Sequence, residues 1–321
     1  MRRLTDAAGF SYHGSGGNSF RLRRQLTGVL LMQRYTLIAP FLIAVLAHDA
    51  LAEDVLLRTP PREPAEAATS FRLLEGFRLE LLAAEPLVTD PVAMAYDENG
   101  LAYVVEMNDY PYSDPSEDKA WEDQTSQPLG RVRLLEDVDG DGVFDRSTVF
   151  AEELSWPTGI ALWKGGAFVT ATPDLWYLKD TDGDRKADVR QKVFAGFRKF
   201  NVQAVINNPQ WGLDHKIYAA GSSNGGVIQA PDGTLGKGVT LGRNDFRIDP
   251  VTNAFEVLSG GARFGNAFDD WGQRFICNIR NPVQHIVLED QYFLRNPSLA
   301  VRSAVNDAAE AGDALPVFRI S

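Results

Sequence analysis

The chain of 321 residues, 44% hydrophobic and 23% charged, has ordinary globular composition and enough apolar mass for a sizeable core. Its formal charge of −11 argues against a nucleic-acid partner, which would need a basic stripe, and suits bound cations. With Cys277 its only cysteine, it has no intramolecular disulfide and no C-x-x-C-H haem attachment; in the apolar run QRFICNI that thiol reads as a small buried hydrophobe.

The N-terminus is basic against this acidic background, with five arginines and one aspartate in residues 1–31. From Met32 the layout changes: Arg34, then an apolar run from Leu37 to Ala47 interrupted by Pro40, then Ala50-Leu51-Ala52. This is the pattern of a secretory signal peptide cleaved after Ala52. The run is shorter than the roughly 20 residues that span a bilayer, which disfavours an uncleaved anchor. We therefore expect translation to start at Met32, residues 1–52 to lie outside the fold, and 53–70 to be a linker. The mature protein is expected to be exported, periplasmic or at the cell surface. Membrane association then needs no transmembrane helix in the mature chain.

From Phe71 onward short apolar runs alternate with Gly, Asp, Asn and Pro. Four stretches share one phrase, an apolar run, a polar turn and a strand with a central aromatic: 91–107, 157–172, 209–222 and 266–279. The aromatics are Tyr103, Phe168, Tyr218 and Phe275. Such repeats predict an all-β fold, a β-propeller with about four blades over 71–321. An open sandwich is the competing reading, but sandwiches seldom repeat one strand–turn–strand phrase. The insertion 108–130, rich in Pro, Ser and Asp, reads as a loop on one face, and 197–210 as a second irregular connection. The final LPVFRIS reads as a strand, so the ring is expected to be truncated, since a propeller closes to remove its sheet edges.

Two acidic loops stand out, EDVDGDGVFD (136–145) and KDTDGDRKAD (179–188). In the first, Asp137, Asp139 and Asp141 alternate, Gly142 permits a sharp turn, and Asp145 follows. Oxygens at that spacing converge on one point and suit calcium, with the Val143 carbonyl completing the set. Like charges so close repel without a cation. Thr148 in the twelfth position and strand-like flanks exclude an EF-hand. The second copy keeps Asp180, Asp182, Asp184 and Asp188 but puts Arg185 in the place of Gly142, which weakens it. Both loops read as braces of the fold more than as chemistry.

Taken together, FRLELLAAEPLVTDPVAMAYDENGLAYVVEMNDYP, RVRLLEDVDGDGVFDRSTVFAEELSWPTGIALWKGGAFVT and RNPVQHIVLEDQYFLRNPSL resemble the N-terminal propeller of the membrane-bound dehydrogenases abundant in planctomycetes and verrucomicrobia. The resemblance covers about Phe71 to Ser321. Those proteins are related to the six-bladed glucose/sorbosone dehydrogenase-like propellers, and many continue into helical repeats and a cytochrome c domain. The resemblance implies an exported, calcium-dependent oxidoreductase using pyrroloquinoline quinone (PQQ) on a carbohydrate or related alcohol, with a cytochrome c-type electron acceptor. It does not supply the base. The relatives place a histidine on an early blade, and this chain has none between His48 and His215.

Chemistry alone offers candidates. Glu106 and Asp109 stand at a strand end entering the long loop and, with His285, are the residues to take a hydroxyl proton. Arg263 and Asn266, in GGARFGN, follow glycines that admit a ligand, and with Asn108 they are the residues to hold a carboxylated cofactor. His215 reads as a solvated turn residue. Against the dehydrogenase stand two alternatives, a non-catalytic calcium-braced binding or scaffold module and a calcium-dependent, lactonase-like hydrolase.

Overall fold

The computed structural model describes residues 60–110, 127–296, 298, 300 and 303–308. The signal segment with its Met32 start, residues 111–126 of the long insertion and the LPVFRIS end lie outside these. The compact unit Arg62–Ser321 carries the fold. It opens with one helical turn, α1 (Pro64–Ala67), continued by a 3-10 turn at Ala68–Ser70, inside the stretch expected to be linker.

Antiparallel sheets then follow one another along the chain. The first holds β1 (Pro91–Tyr96), β2 (Ala102–Glu106), β3 (Gly130–Glu136) and β4 (Arg146–Leu154). The second holds β5 (Pro157–Trp163), β6 (Gly166–Ala171), β7 (Asp174–Lys179) and β8 (Val189–Phe197). The third begins with β9 (Asn207–Trp211) and β10 (Ile217–Ala220). The chain then leaves it for a hairpin, β11 (Gly226–Gln229) and β12 (Val239–Leu241), which pairs onto β8 and widens the second sheet to six strands. It returns with β13 (Asp245–Ile248) and β14 (Phe255–Leu258). The fourth sheet holds β15 (Asn266–Phe268), β16 (Arg274–Ile276), β17 (Gln284–Ile286) and β18 (Val305–Asp307), with a short helix α2 (Asp290–Arg295) between its last two strands.

The first strands touch in series, β1 with β5, β5 with β9 and β9 with β15. Sheets whose innermost strands succeed one another this way are propeller blades, four of them in an open arc among the described residues. Each stretch singled out by its repeated phrase is the first hairpin of a blade, and its aromatic lies in the second strand. Those strands are covered on both faces, β6 and β10 by neighbouring blades and β2 by blade 2 and by Ala83, Leu87 and Val88, so all three are buried throughout and read as continuous apolar runs without alternation. The aromatics clasp partners: Tyr103 meets Phe150 edge-on, Phe168 meets Tyr177, Tyr218 meets Phe268 of the next blade, and Phe275 stacks on His285. Two large apolar seams result. One lies between blades 1 and 2 around Val105, Phe150, Leu154 and Val169; the other between blades 2 and 3 around Phe168, Phe194, Phe197 and Phe246. Cys277 lies outside both and is half-buried.

Local chemistry fixes the hairpins. Between β5 and β6, Trp163 pairs with Gly166 across Lys164 and Gly165, with φ of +49° and +72°. Positive φ at both central residues is the two-residue turn whose twist matches that of the strands. Sequential antiparallel order then sorts the loops. Second-to-third connections and blade-to-blade connections leave by one face, here called the connection face. First-to-second and third-to-fourth turns leave by the opposite, turn face.

Candidate functional site

On the connection face the inner strands enclose a cavity of about 690 Å³. Its wall comes from the starts of β1, β5 and β9, and its rim from Met107, Tyr110, Gln203 and Arg263. Arg263 also lines a cleft of similar size with Arg243, Arg280, Asn278, Asn281 and Gln284. Among the described residues none of these three arginines forms an ion pair with a carboxylate, and the buried Nε of Arg263 has no hydrogen-bond partner. The Arg263 backbone is tightly held: its N–H donates to Asn278 Oδ1 at 3.1 Å, and its carbonyl accepts from Asn207 Nδ2 at 2.9 Å. Gly260 and Gly261 precede it with φ of +129° and +98°, and a Cβ at either would lie 2.0 Å from Asp245 Oδ2 or 2.6 Å from the Arg243 carbonyl. Only glycine lets the chain pass there.

Asp109 lies beside this cavity, fully buried, with Met107 and Tyr110 of the rim on either side of it in sequence. Its Oδ2 accepts the Trp156 N–H at 2.8 Å. Burial pushes its carboxyl above the usual range, and the bond from Trp156 and the nearby Lys199 charge pull back only part of the way. Lys199 stands 4.6 Å over the Trp156 ring, its own pKa lowered by burial and partly restored by Asp109. Asn108 is held by its amide, which donates to Thr89 Oγ1 at 3.0 Å.

The remaining candidates are placed differently from expectation. Glu106 is fully buried inside blade 1, where it pairs with Arg131, lies 3.2 Å from Arg133 Nε and accepts the Thr89 N–H at 2.7 Å. Its carboxylate ties β2 to β3, the structural pairing that a strand-end carboxylate offers beside a catalytic role. His285 stacks on Phe275 at 4.9 Å and lines a separate crevice of about 520 Å³ with Arg274 and Tyr292, among turns of the opposite face. It does not meet Asp109 or Arg263. Asn266 does not line the cavity; its N–H and amide grip Asn208, which does, and hold that residue at φ +48°. It positions the wall. His215 sits at φ +60° in the β9–β10 turn, as expected.

The acidic loops are both third-to-fourth turns and leave by the turn face, away from the cavity. They share one hydrogen-bond pattern. Asp137 accepts from the N–H of Gly140 and Gly142 at 2.7 and 2.9 Å, as Asp180 does from Gly183 and Arg185 at the same distances. Asp145 accepts the Val138 N–H and Asp188 the Thr181 N–H, both at 2.8 Å. Carboxylate oxygens of Asp137, Asp139 and Asp145 lie within 4.8 Å of one another, as do those of Asp180, Asp182 and Asp184. Asp141 and Asp188 fall outside these clusters; Asp141 accepts the Val143 N–H, and the Thr181 hydroxyl holds Asp188 and keeps its carboxyl below the ordinary range. Arg185 takes the left-handed conformation of Gly142, at φ +71° against +91°, and reaches Glu136 of blade 1 at 3.3 Å.

Sequence reasoning missed Ser155, Trp156, Lys199, Arg243 and Arg280. The arginines had a signal, since each is followed closely by asparagine in a short connection: GRN, ARFGN and IRN. Trp156 had none, because its importance comes from a backbone conformation.

Blades in an open arc, with a mainly apolar cavity on the connection face rimmed by Gln203 and Arg263, define a β-propeller fold. Residues 63–321 match the family described as a domain of unknown function (DUF7133), and the chain belongs to that family. No curated protein matches it. Among solved structures it is similar to the holo PQQ domain of pyranose dehydrogenase from Coprinopsis cinerea, at 15% identity and a TM-score of 0.45 over 65% of this chain and 48% of that one. It is also similar to a Trichoderma reesei carbohydrate-active enzyme of family AA12, at 13% and 0.42 over 64% and 47%. A third is the PQQ-bound aldose sugar dehydrogenase from Streptomyces coelicolor, at 17% and 0.41 over 64% and 61%. The chain thus spans about half the length of the first two. No helix among the described residues is long and apolar enough to cross a membrane.

Proposed function

We propose that the protein is an exported PQQ-type dehydrogenase acting on a carbohydrate or related alcohol. The observation that carries this reading is the cleft of Arg243, Arg263 and Arg280, which have no carboxylate partner among the described residues and open beside the central cavity. Guanidinium forks suit a polycarboxylate, and the sequence resemblance names one, PQQ. When bound, PQQ supplies the two-electron acceptor for oxidation of a hydroxyl to a carbonyl. The chain contributes the rest. Arg263, fixed by Asn207 and Asn278, orients the cofactor's carboxylates. Asp109, whose carboxyl burial pushes above its ordinary range, takes the hydroxyl proton. A cytochrome c-type protein receives the electrons. Calcium is assigned to the two acidic loops as a brace on the turn face, with Asp137, Asp139 and Asp145 as the better site. A non-catalytic recognition module is the second reading, and its support is that Glu106 and His285 are committed away from the cavity.

Calorimetric titration of PQQ into the calcium-loaded protein separates the two readings. Stoichiometric binding is expected, and Arg263→Ala should weaken it by about ten- to a hundredfold, the loss of one or two charge-assisted hydrogen bonds. A folded protein that binds no PQQ would leave the recognition module standing.

A further inference from the structure

The central cavity, the arginine cleft and a third cleft of about 440 Å³ form one track along the connection face. Arg263 lines the first two, and Ser223 and Arg243 line the last two, so each adjoins the next. Arg198 stands at the far end, in the third cleft. No aspartate or glutamate lines any of the three, in a chain whose formal charge is −11. Asp245, behind Gly260, is paired with Arg274. Arginines within the sheets find carboxylates: Arg131 and Arg133 find Glu106, and Arg247 finds Glu256. Arg198, like Arg243, Arg263 and Arg280, has no such partner among the described residues. It is nevertheless held as Arg263 is. Its N–H donates to the Gly225 carbonyl at 2.9 Å, and its own carbonyl accepts from Asn224 Nδ2 at 3.2 Å. Its guanidinium stands 6.0 Å from the centre of the Phe200 ring, as that of Arg263 stands 5.7 Å from Phe264. A guanidinium resting on an aromatic face keeps its N–H edge for an anion.

We infer that Arg198 and Arg243 form a subsite for a carboxylate or sulfate group of an acidic saccharide. A cleft lined by charge of one sign concentrates ligands of the other, and guanidinium forks match planar and tetrahedral oxyanions alike. Along the track the cations are few and are separated by Ser223, Asn278, Asn281 and Gln284. That alternation suits a ligand whose anionic groups are set among hydroxyls. It does not suit a nucleic-acid strand, whose phosphates follow one another without a break and are repelled by the net charge of the chain. Arg198 lies outside the cleft assigned to PQQ, so saccharide and cofactor are held side by side. This inference deepens the dehydrogenase reading by naming its substrate class. It rests on that reading for the oxidation, though not for binding itself.

The test uses ligand-observed NMR with D-glucuronate and D-glucose 6-sulfate as acidic probes, D-glucose as their neutral counterpart and a short oligothymidylate as a polyanion of another kind. At least one acidic sugar should bind about tenfold more tightly than D-glucose, and the tighter of the two tells carboxylate from sulfate. Arg198→Ala should weaken that sugar about tenfold, the loss of a charge-assisted hydrogen bond, and leave D-glucose unaffected. Arg198 is exposed, so the variant should keep the melting temperature of the wild type. Equal affinity for acidic and neutral sugars, silence from every probe, or an Arg198→Ala variant that binds as the wild type does would overturn the inference. So would oligothymidylate that binds more tightly than either acidic sugar and is lost with Arg198. The same samples are titrated with PQQ, whose affinity Arg198→Ala should not change; an equal loss would put Arg198 in the cofactor site and overturn the subsite. Binding of PQQ without preference for an acidic sugar defeats this inference alone. Acidic-sugar binding that responds to Arg198→Ala, without PQQ, defeats the quinoprotein reading alone.

Discussion

Asp109 combines complete burial with a half-satisfied carboxylate, and this sets a measurable pH dependence. Its folded pKa lies above the ordinary 3.8, so the folded state holds the proton more tightly than the unfolded state. Stability is therefore greatest below that ordinary value, falls as pH rises through the raised folded value, and is flat above it. Asp109→Asn keeps an acceptor for the Trp156 N–H and removes the buried charge. It should match wild type near pH 3 and exceed it at pH 7, by a margin reduced by the Lys199 attraction that the substitution removes. Calorimetric melting at both pH values checks this, and equal differences at the two would show that Asp109 does not titrate as described. Glu106 shows why neighbouring carboxylates could not be told apart by sequence. Both stand at the end of β2, but Glu106 faces β3 in the ladder, directly opposite Arg131, with Arg133 two residues on along the same face. The RVR phrase after the long insertion held that information. It became a contact only once the register was known.

At the scale of elements, blades 3 and 4 share a small apolar seam, Ala220, Ala262, Ile276 and Ile286, and a buried ion pair carries much of the junction. Asp245 of β13 is fully buried; it lies 2.7 Å from Arg274 of β16 and accepts the N–H groups of Gly221 and Ala262 at 3.1 and 2.9 Å. Arg274→Met should destabilise the protein by about 3–5 kcal/mol, because it strands the Asp245 charge. Urea unfolding should show a lowered midpoint; a shift under 1 kcal/mol would mean the backbone donors suffice. The acidic loops make a separate prediction. Saturating calcium should raise the melting temperature, and Asp137→Asn should remove more of that rise than Asp180→Asn. The second loop already has an internal cation in Arg185 and a backbone bond from Ala187 to Phe150 of blade 1. An equal loss would show the two sites to be equivalent. The hairpins were legible because turn chemistry and periodicity are local. The pairing of β11 and β12 onto the second blade was not, since it depends on which sheet edge a Gly-rich excursion meets in space.

Across the whole molecule, the repeat of one aromatic phrase revealed the propeller, while the arrangement of the site depended on which face each loop leaves by. That rule places Asp109, Trp156 and Arg263 together and sends His285 and both acidic loops to the other side. The arc has a further consequence near its start. Phe77, Leu79 and Leu81 are 72%, 46% and 44% exposed and alternate with Arg78 and Glu80, which pair with each other at 2.9 Å as residues on one face of an extended chain do. Among the described residues the main chain from Arg78 to Leu81 makes no hydrogen bond. An exposed apolar strand with free N–H and C=O groups is a template for pairing with another chain. Its sequence is also self-complementary. Antiparallel pairing of two copies about Leu79 sets Arg78 opposite Glu80 and Phe77 opposite Leu81, a register favoured by both charge and apolar contact. The protein should therefore associate reversibly with rising concentration. Leu79→Pro removes the central N–H from a position where the fold makes no use of it, so the variant should stay folded and sediment as a monomer. Sedimentation velocity over a hundredfold range of concentration decides the matter. If Leu79→Pro associates as wild type does, the contact lies elsewhere on the surface.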